Sequence, residues 1–451
     1  MSRNEHHNKK HLNTALGADG SLLFFRPVFL RATPRHIKAI FAPAGYDQAC
    51  SRRRSTMIIH PQIQGCVARN CHPIGCRAAV EQQIAEIRAA GPFNGPRRVL
   101  ILGASSGFGL ASRIALTFGA GANTIGVSFE RGLSDQGIGS AGWYNNIWFK
   151  QAAEREGYQA INLIGDAFSD AMRQQAIATI RQLWGKVDLV IYSLASGQRL
   201  LADGRRVRSV LKATGQPFTG WGLSLEHNAL VEQTLPLASP EEIHDTVTVM
   251  GGEDWQQWMQ ALQDADCLAS GVQTVAYSYI GPASTYPLYR DGTIGYAKEH
   301  LHGTAEAINL QLAALGGHAW VSVCKALVTK ASAYIPVLPV YLGLLMGVMK
   351  ERGVHEGCIE QMRRLFADKM YGAEGVIADG NRLIRMDDHE LDPAIQAAIS
   401  ALWPKVTPEN FTSMGDFAGL RRDFMQLNGF ELPGVDYEAP VNIDALGELE
   451  P

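Results

Sequence analysis

The sequence predicts an α/β fold in which a doubly wound parallel sheet carries helices on both faces. From Arg98 onward, short β-rich runs alternate with helical stretches, and each run is bounded by Gly, Asp or Ser. Parallel strands need such crossover helices, which cover both faces of the sheet. The predicted strands lie in VLILG, TIGVSFE, AINLIGD, VDLVIYSLAS, QTVAYSYIG and WVSVCKALVT.

Two further regions are expected to surround this sheet within a single domain of residues 57–451. Residues 198–270 exceed the length of one crossover helix and are predicted to be an insertion that covers the site. Its segment VMGGEDWQQWMQAL is expected to form one helix carrying Trp255 and Trp258. Residues 331–365 are predicted to be an apolar helix that lines the substrate site, and the C-terminal region after it should be helical.

The first 56 residues differ in charge from the rest of the chain. Residues 1–56 contain ten Lys or Arg and three Asp or Glu, without the apolar core of a signal peptide. Met57 begins an alternating run that is typical of a strand. We therefore expect residues 1–56 to be disordered or to precede the natural start.

Composition excludes several classes of protein. A formal net charge of −3 provides no polyanion-binding surface, so no nucleic acid partner is expected. Seven cysteines, an odd and sparse set, favour reduced thiols and a cytoplasmic location.

The uncharged stretch Ala331–Met349 approaches the length of a membrane span, but Pro336 and Pro339 favour a loop followed by a packed helix. Stable membrane insertion is not expected.

One cluster has the residue types of a metal site. Its members are Cys66, Cys71, His72 and Cys76. The spacing matches no common zinc site and a second ligand pair is absent from the sequence pattern. No metal is predicted.

The glycine-rich segment VLILGASSGFGLASRIAL predicts a dinucleotide-binding turn of the Rossmann type. Gly103, Gly107 and Gly109 separate an apolar strand from an Ala-rich helix. Such a turn lets the backbone approach a pyrophosphate and directs helix N–H groups at it. The same residues also fit the G-x-S-x-G nucleophile elbow of hydrolases, with Ser105 as nucleophile. Gly109 and the acidic residue at 130 have no role in a hydrolase, which favours dinucleotide binding.

Residues at the ends of the following strands are candidates for the rest of the cofactor site. Glu130 ends the second run, where a carboxylate accepts hydrogen bonds from adenine-ribose hydroxyls and repels a 2′-phosphate, so NADH is favoured. The adjacent Arg131 could pair with a 2′-phosphate, so NADPH remains an alternative cofactor. By the same rule, Asp166 and Ala167 should lie near the adenine ring, and Leu194 and Ala195 near the nicotinamide ribose.

The catalytic candidates are Tyr289 and Lys298 in YSYIGPASTYPLYRDGTIGYAKEHL. A tyrosine acid is protonated up to about pH 10, and a nearby ammonium stabilises its phenolate. Nine positions on one helix would place the two side chains on opposite faces, so Tyr289 is predicted to lie on a loop before the helix of Lys298. Gly292 and Gly295 are expected to loosen the backbone between them. The alternative is that Tyr289 only fills an aromatic core.

These motifs resemble the FabV family of trans-2-enoyl reductases, a branch of the short-chain dehydrogenases whose marker is a Tyr-x8-Lys pair. The resemblance runs from Met57 to about Asn442 and is carried by CHPIGC, GASSGFGLA, GWYNN, GDAFSD, VIYSLAS, VMGGEDWQQW, GTIGYAKEHL, KALVTKASAYIP and HEGCIEQM. It implies NADH-dependent reduction of the C2–C3 double bond of trans-2-enoyl thioesters of acyl-carrier protein or coenzyme A, the final reductive step of fatty acid elongation. A monomer is expected, although the sequence itself contains no signal of oligomeric state.

The resemblance assigns roles to individual residues. Tyr289 is implied as proton donor, Lys298 as the contact to the cofactor ribose, and Tyr279 as a substrate contact. The implied cofactor site comprises Gly103, Ala104, Ser105, Ser106, Gly107, Phe108, Phe129 and Glu130, together with the closing loop Leu327, Val328 and Thr329. A carbonyl or β-ketoacyl reductase on the same fold and a non-catalytic NADH sensor are the alternative functions.

Overall fold

The computed structural model describes residues 55–451, and the predicted leader lies outside the described residues except for its last two. Ser55 donates from its backbone N–H and its hydroxyl to Asp444. Thr56–Met57 pairs antiparallel with Val441–Asn442, so the described part of the chain joins its two ends in one ribbon.

A seven-stranded, entirely parallel sheet forms the centre of the molecule. All six predicted strands are present, and a short seventh strand extends the sheet. In chain order the strands are β1 (Arg98–Leu102), β2 (Asn123–Ser128), β3 (Ala160–Ile164), β4 (Val187–Tyr192), β5 (Leu268–Ser278), β6 (His318–Val323) and β7 (Leu383–Arg385).

The strands lie in the spatial order β3-β2-β1-β4-β5-β6-β7, which is the order of a doubly wound sheet, the fold class predicted from the sequence. Strand order reverses between β1 and β4, where ligands bind in such sheets, beyond the carboxyl ends of the strands. The fold therefore places the glycine-rich turn after β1 and the chain after β4 side by side.

Helices cover both faces of the sheet. The helices of the described residues are α1 (Pro73–Ala90), α2 (Gly107–Ala120), α3 (Ala141–Arg155), α4 (Asp170–Leu183), α5 (Pro240–Met250), α6 (Glu253–Asp264), α7 (Thr293–Leu312), α8 (Leu338–Glu351), α9 (Cys358–Arg364), α10 (Pro393–Leu402), α11 (Phe411–Met414), α12 (Phe417–Gln426) and α13 (Ile443–Gly447). Shorter turns are the 3₁₀ segments Ala283–Thr285, Ala313–Leu315, Ser332–Tyr334 and Trp403–Lys405 and the π-helical Leu365–Met370.

The period of two along each strand divides the core between these faces. Leu100 and Leu102 pack with α4, α6 and α7 on one face. Val99 and Ile101 pack with α1, α2, α3 and α9 on the other. A third core surrounds α8, which is buried along most of its length and packs against α10, α12 and an antiparallel ribbon.

The predicted insertion is shorter than residues 198–270. It comprises the ribbons Gln198–Leu200 with Arg206–Arg208 and Phe218–Ser224 with Ala229–Leu235, followed by α5. Residues 253–264 do not cover the site, because they form α6, a crossover helix that packs on the sheet. Trp255 and Trp258 are fully buried in this contact. Residues 268–270 belong to β5.

The single helix predicted for VMGGEDWQQWMQAL was wrong. Helix α5 ends at Met250 and α6 begins at Glu253. At the break, the Gly252 N–H donates to His300 Nδ1 at 3.0 Å, and a Cβ on Gly252 would lie 2.2 Å from the Thr304 hydroxyl. The glycine pair thus allows close packing against α7.

The predicted loop followed by an apolar helix is present, but the helix is shorter than the predicted segment of residues 331–365. The segment divides into a 3₁₀ turn, α8 and α9. Pro336 and Val337 separate the turn from α8, and Val337 has a φ of 65°, which is outside helical geometry for a β-branched residue. Within residues 55–451, no helix combines the length and apolarity that crossing a bilayer requires.

Candidate active site

The glycine-rich turn packs closely on the chain leaving β4. Gly103 has a φ of 91°, and a Cβ there would lie 2.2 Å from the Ser193 carbonyl oxygen. A Cβ on Gly109 would lie 1.9 Å from the Gly103 carbonyl oxygen. Only glycine fits these positions, so the strand-to-helix turn can tighten and expose the N-terminus of α2 to an anion.

The loop after β6 lies beside the same turn. Gly107 has a φ of 53°, and a Cβ on it would lie 3.7 Å from the Thr329 methyl group. The loop is internally fixed, because Ser332 donates to the Leu327 carbonyl at 2.6 Å and accepts from the Thr329 N–H at 2.8 Å. Leu327 is buried and Val328 is half-buried. These contacts bring residues 327–329 next to the predicted pyrophosphate position.

Glu130 is held at the end of β2 by two serines. The Ser105 hydroxyl donates to Glu130 Oε1 at 2.6 Å, and the Ser140 hydroxyl donates to Oε2. Each carboxylate oxygen keeps acceptor capacity for a further donor. Phe129, beside it, is 80% exposed, so its ring is free to stack on a flat group. Ser105 therefore donates to a carboxylate, whereas a nucleophile elbow would need it to donate to a base.

The remaining predicted cofactor residues occupy the same edge of the sheet. Ala104 is fully buried under the turn, Ser106 occupies the N-cap position of α2 without a side-chain capping bond, and the Phe108 ring contacts Tyr277 at a centroid distance of 5.8 Å.

Beyond β3 and β4 the predicted residues differ in accessibility. Asp166 Oδ1 accepts from the Phe168 N–H at 2.9 Å, and the buried Ala167 carbonyl accepts from Trp258 Nε1 at 3.0 Å. Leu194 is half-buried, and Ala195 is exposed.

Tyr289 lies on the turn that precedes α7, and Lys298 lies on α7, which confirms their predicted relative placement. A Cβ on Gly295 would lie 2.0 Å from the Arg290 carbonyl oxygen and 2.7 Å from that of Tyr289. Because Gly295 has no side chain, the backbone of the loop packs directly against α7. The expectation that Gly292 and Gly295 loosen the backbone was wrong, because Gly295 is a site of tight contact and the φ of Gly292, −125°, is ordinary.

The inserted region fixes the same loop from its other side. Lys212 and Thr293 exchange hydrogen bonds, with the Thr293 N–H donating to the Lys212 carbonyl at 2.9 Å. The Thr214 N–H and hydroxyl both donate to the Asp291 carbonyl, at 3.0 and 2.8 Å. The loop bearing Tyr289 is therefore clamped between α7 and the insertion.

The electrostatics of the pair follow from burial. Tyr289 is 7% exposed, and burial raises its pKa, so the phenol is kept as an acid. Lys298 Nζ donates to the Tyr277 carbonyl at 3.2 Å, and burial lowers its pKa to about 8. Neither the neighbouring Tyr279 hydroxyl nor Lys298 Nζ bonds the Tyr289 hydroxyl, which has no hydrogen-bond partner within residues 55–451. The thiol of Cys324 lies near both groups and is itself buried.

Tyr279 is adjacent to Tyr289, with perpendicular rings at a centroid distance of 4.8 Å. Its hydroxyl donates to Glu390 Oε1 at 2.8 Å, and the Tyr341 hydroxyl donates to the same oxygen at 2.7 Å. Sequence reasoning missed Glu390 and Tyr341. Neither belongs to a short motif, and their only sequence signal is polar character next to apolar runs.

A separate cavity of about 830 Å³ lies beside the sheet edge rather than at these residues. It is lined by residues of α7, by Trp320 of β6 and by residues between 376 and 383, and no predicted site residue lines it. His302, one of its lining residues, has its Nε2 2.8 Å from the Ser278 hydroxyl at the end of β5. The described residues contain no group of three or more potential metal ligands.

A doubly wound sheet with a glycine turn at its switch point and a buried Tyr and Lys beside it defines a dinucleotide-dependent reductase of the Rossmann type. The residues fit NADH: the glycines leave room for the pyrophosphate, Glu130 lies where adenine-ribose hydroxyls need an acceptor, and Lys298 extends from the adjacent helix.

Family models assign the chain more narrowly. Residues 137–371 match the catalytic region of trans-2-enoyl-CoA reductase, and residues 58–135 match its NAD(P)H binding domain. Residues 378–441 match a model described as an enoyl reductase FAD binding domain.

Relatives and solved structures agree. The chain is 53% identical over 398 residues, 87% of this chain and 100% of the relative, to enoyl-[acyl-carrier-protein] reductase [NADH] 2 of Photobacterium profundum. It is 49% identical over 398 residues, 88% and 100%, to trans-2-enoyl-CoA reductase [NADH] of Clostridium beijerinckii. The crystal structure of Clostridium acetobutulicum trans-2-enoyl-CoA reductase in complex with NADH matches with a TM-score of 0.86 and 46% identity, over 88% of this chain and 100% of that one. The chain belongs to the trans-2-enoyl-CoA/enoyl-acyl-carrier-protein reductase family.

The residues from 378 to 441 do not fit an FAD site. Between β7 and α10 the chain reads MDDHELD, and its four carboxylates would repel a pyrophosphate where a flavin-binding turn needs glycines and N–H groups. Helices α10 and α12 use their apolar side chains, such as Ile395, Ile399 and Phe424, to pack on α8. This region supports the tyrosines through Glu390.

Proposed function

We propose that this protein uses NADH to reduce the C2–C3 double bond of trans-2-enoyl thioesters, the final reductive step of fatty acid elongation. The observation that carries the proposal is the Tyr289 hydroxyl, without a hydrogen-bond partner among the described residues, on a buried side chain whose loop is clamped between the insertion and α7, the helix of Lys298. When bound, NADH supplies the hydride that adds to C3.

The chain's own groups stabilise the charge that develops. Negative charge collects on the thioester oxygen as an enolate, and the Tyr289 hydroxyl donates a hydrogen bond to it. Because burial raises the pKa of Tyr289, this hydroxyl stays protonated until the oxyanion forms. In the following step C2 takes up one proton, and solvent water is the ultimate source of that proton. Lys298 binds the cofactor ribose.

The glycine-rich turn, the loop after β6 and the ends of the strands each bind a different part of NADH in this proposal. We assign the pyrophosphate to Gly103–Phe108 and to the loop Leu327–Thr329, because these segments lie in contact. Phe129 and Glu130 would hold the adenosine, with Asp166 and Ala167 beside the adenine ring. Leu194 and Ala195 would lie beneath the nicotinamide ribose. Tyr279 would contact the thioester beside Tyr289.

The apolar wall of the site suggests where the acyl chain lies. Helix α8 belongs to the same buried cluster as Tyr289, Ala326 and Ile335. An acyl chain bound beside Tyr289 would extend along this cluster. We propose a cytoplasmic, monomeric enzyme whose substrate is carried by acyl-carrier protein or coenzyme A.

The decisive experiment follows NADH absorbance with crotonyl-CoA and then with a β-ketoacyl thioester. An enoyl reductase consumes NADH with crotonyl-CoA only. A ketoreductase consumes it with the second substrate only, and an NADH sensor consumes it with neither. Either of these last two results would reject the proposed function.

A further inference from the structure

A buried carboxylate lies behind the two tyrosines of the site. Glu390 is 0% exposed. Its Oε1 accepts from the hydroxyls of Tyr279 and Tyr341, at 2.8 and 2.7 Å, and its Oε2 accepts from the Ala326 N–H at 2.7 Å. Gln396 Nε2 donates to the Glu390 carbonyl at 2.7 Å, which fixes the backbone of this residue. The carboxylate therefore has one defined orientation.

This geometry determines where the Tyr279 proton points. A tyrosine hydroxyl carries one proton, and an ionised carboxylate can only accept. While Glu390 is ionised, the Tyr279 proton lies in the hydrogen bond to the Glu390 carboxylate. The Tyr279 oxygen can then only accept hydrogen bonds from other groups. A protonated Glu390 has one O–H to donate. If it donates to the Tyr279 oxygen, the Tyr279 proton leaves the carboxylate and becomes available to another acceptor.

We propose that Glu390 is a positioning residue whose protonation state decides whether the Tyr279 hydroxyl donates a second hydrogen bond to the substrate's thioester oxygen. This inference rests on the proposed function, because it assumes that the oxyanion forms beside Tyr289. Glu390 does not contact the substrate. Its proton stays on the carboxyl group, and only the direction of the Tyr279 hydroxyl changes.

The groups that face Glu390 determine its titration. Tyr279 reaches it from the end of β5, Tyr341 from α8 and Lys325 from the loop after β6; Glu356 lies near Lys325 and Asp387 near Tyr341. Burial raises the pKa of Glu390, and the phenols, the Ala326 N–H and the Lys325 cation oppose this rise. Burial lowers the pKa of Lys325 to about 8, so this cation weakens at alkaline pH.

The sign of the pH effect follows directly. Because the pKa of Glu390 is raised in the folded protein, the protonated form persists to higher pH than for an ordinary glutamate. The form that frees Tyr279 is lost as pH rises through that pKa. The kcat for enoyl reduction should therefore fall with rising pH to a lower plateau, at which Tyr289 alone stabilises the enolate.

Glu390→Gln separates this role from a purely structural one. The buried Ala326 N–H needs an acceptor, so the amide oxygen takes the place of Oε2 and the amide nitrogen takes the place of Oε1. The amide nitrogen then donates to both phenols, and the Tyr279 proton is free at every pH. We expect E390Q to keep the higher plateau where wild-type kcat has dropped roughly tenfold.

The comparison is made with full-length protein, NADH and crotonyl-CoA across the pH range in which wild type stays folded. If E390Q shows the same alkaline fall as wild type, Glu390 does not orient Tyr279 and the inference is rejected. If wild type does not reduce crotonyl-CoA at any pH, the proposed function itself fails, which is a distinct result.

Tyr341→Phe is the matched second variant if E390Q does not fold. It leaves Tyr279 in place and removes one donor to Glu390, so the pKa of Glu390 should rise further. The alkaline fall of kcat should move to higher pH. A fall that stays at the wild-type pH would also reject the inference.

Discussion

The two halves of the site are built on different principles. In the nucleotide half, Ser105 and Glu130 are 25 residues apart, and the shape comes mainly from backbone that only glycine permits. In the catalytic half, Tyr279 and Glu390 are 111 residues apart, and the shape comes from buried side chains on different elements. The first half tolerates few Cβ atoms, whereas the second depends on hydroxyls and carboxylates kept in defined directions.

The largest effect is expected from removing one hydroxyl in the catalytic half. Tyr289→Phe keeps the ring contact to Tyr279 and removes the donor to the developing enolate. We expect kcat with crotonyl-CoA to fall by roughly 10²–10⁴-fold. The affinity for NADH, measured by fluorescence titration, should stay near wild type. A wild-type kcat would remove Tyr289 from the reaction.

A backbone change in the catalytic half should have the next largest effect. Gly295→Ala places a Cβ where the Arg290 carbonyl lies, 2.0 Å away, and must displace the loop of Tyr289. A displacement of about 1 Å can reduce kcat by about 10²-fold. The KM for NADH should change much less, because the glycine turn after β1 is separate from this contact.

Gly303→Ala is the matched control on the same helix. A Cβ there has no neighbour within 4 Å. It should leave kcat unchanged and raise the free energy of unfolding by about 0.5–1 kcal/mol, as expected for Ala replacing Gly inside a helix. Equal losses of kcat in the two variants would show that the Gly295 contact does not position Tyr289.

The same contrast explains what the sequence could predict. The alternation of apolar strands and helices identified six of the seven sheet strands, and the glycine spacing located the nucleotide turn. The seventh strand, Leu383–Arg385, has only three residues, too few for a period to appear. The prolines at 336 and 339 predicted the loop before α8, whereas the helix division at 251–252 depends on tertiary packing against α7.

Glu390 is the clearest example of a site residue that the sequence could not predict. Its function is defined by two phenols and a backbone N–H that reach it from three other elements, and none of them is near it in sequence. Helix geometry correctly placed Tyr289 before α7, because that argument needs only the separation of two residues. It could not place a carboxylate behind Tyr279, because that contact is made only when the C-terminal helices pack on α8.

A Cβ in the nucleotide half should act through cofactor binding and stability. Gly103→Ala meets both an unfavourable φ of 91° and the Ser193 carbonyl oxygen at 2.2 Å. We expect a loss of about 1–3 kcal/mol in the free energy of unfolding, measured by urea denaturation, and a higher KM for NADH. Gly204→Ala, with a φ of 85° and open space, isolates the backbone strain and should leave the KM for NADH unchanged.

The smallest effect should come from a side chain in the nucleotide half. Glu130→Gln keeps an oxygen for one ribose hydroxyl but removes the charge that repels a 2′-phosphate. A charge-assisted hydrogen bond contributes about 1.5 kcal/mol or more, so the KM for NADH should rise by roughly tenfold. The KM for NADPH should fall, and kcat at saturating NADH should stay at the wild-type value because Tyr289 and Lys298 are unaffected. An unchanged ratio of the two KM values would show that Glu130 serves only its two serines, Ser105 and Ser140, and that cofactor choice is determined elsewhere in the turn.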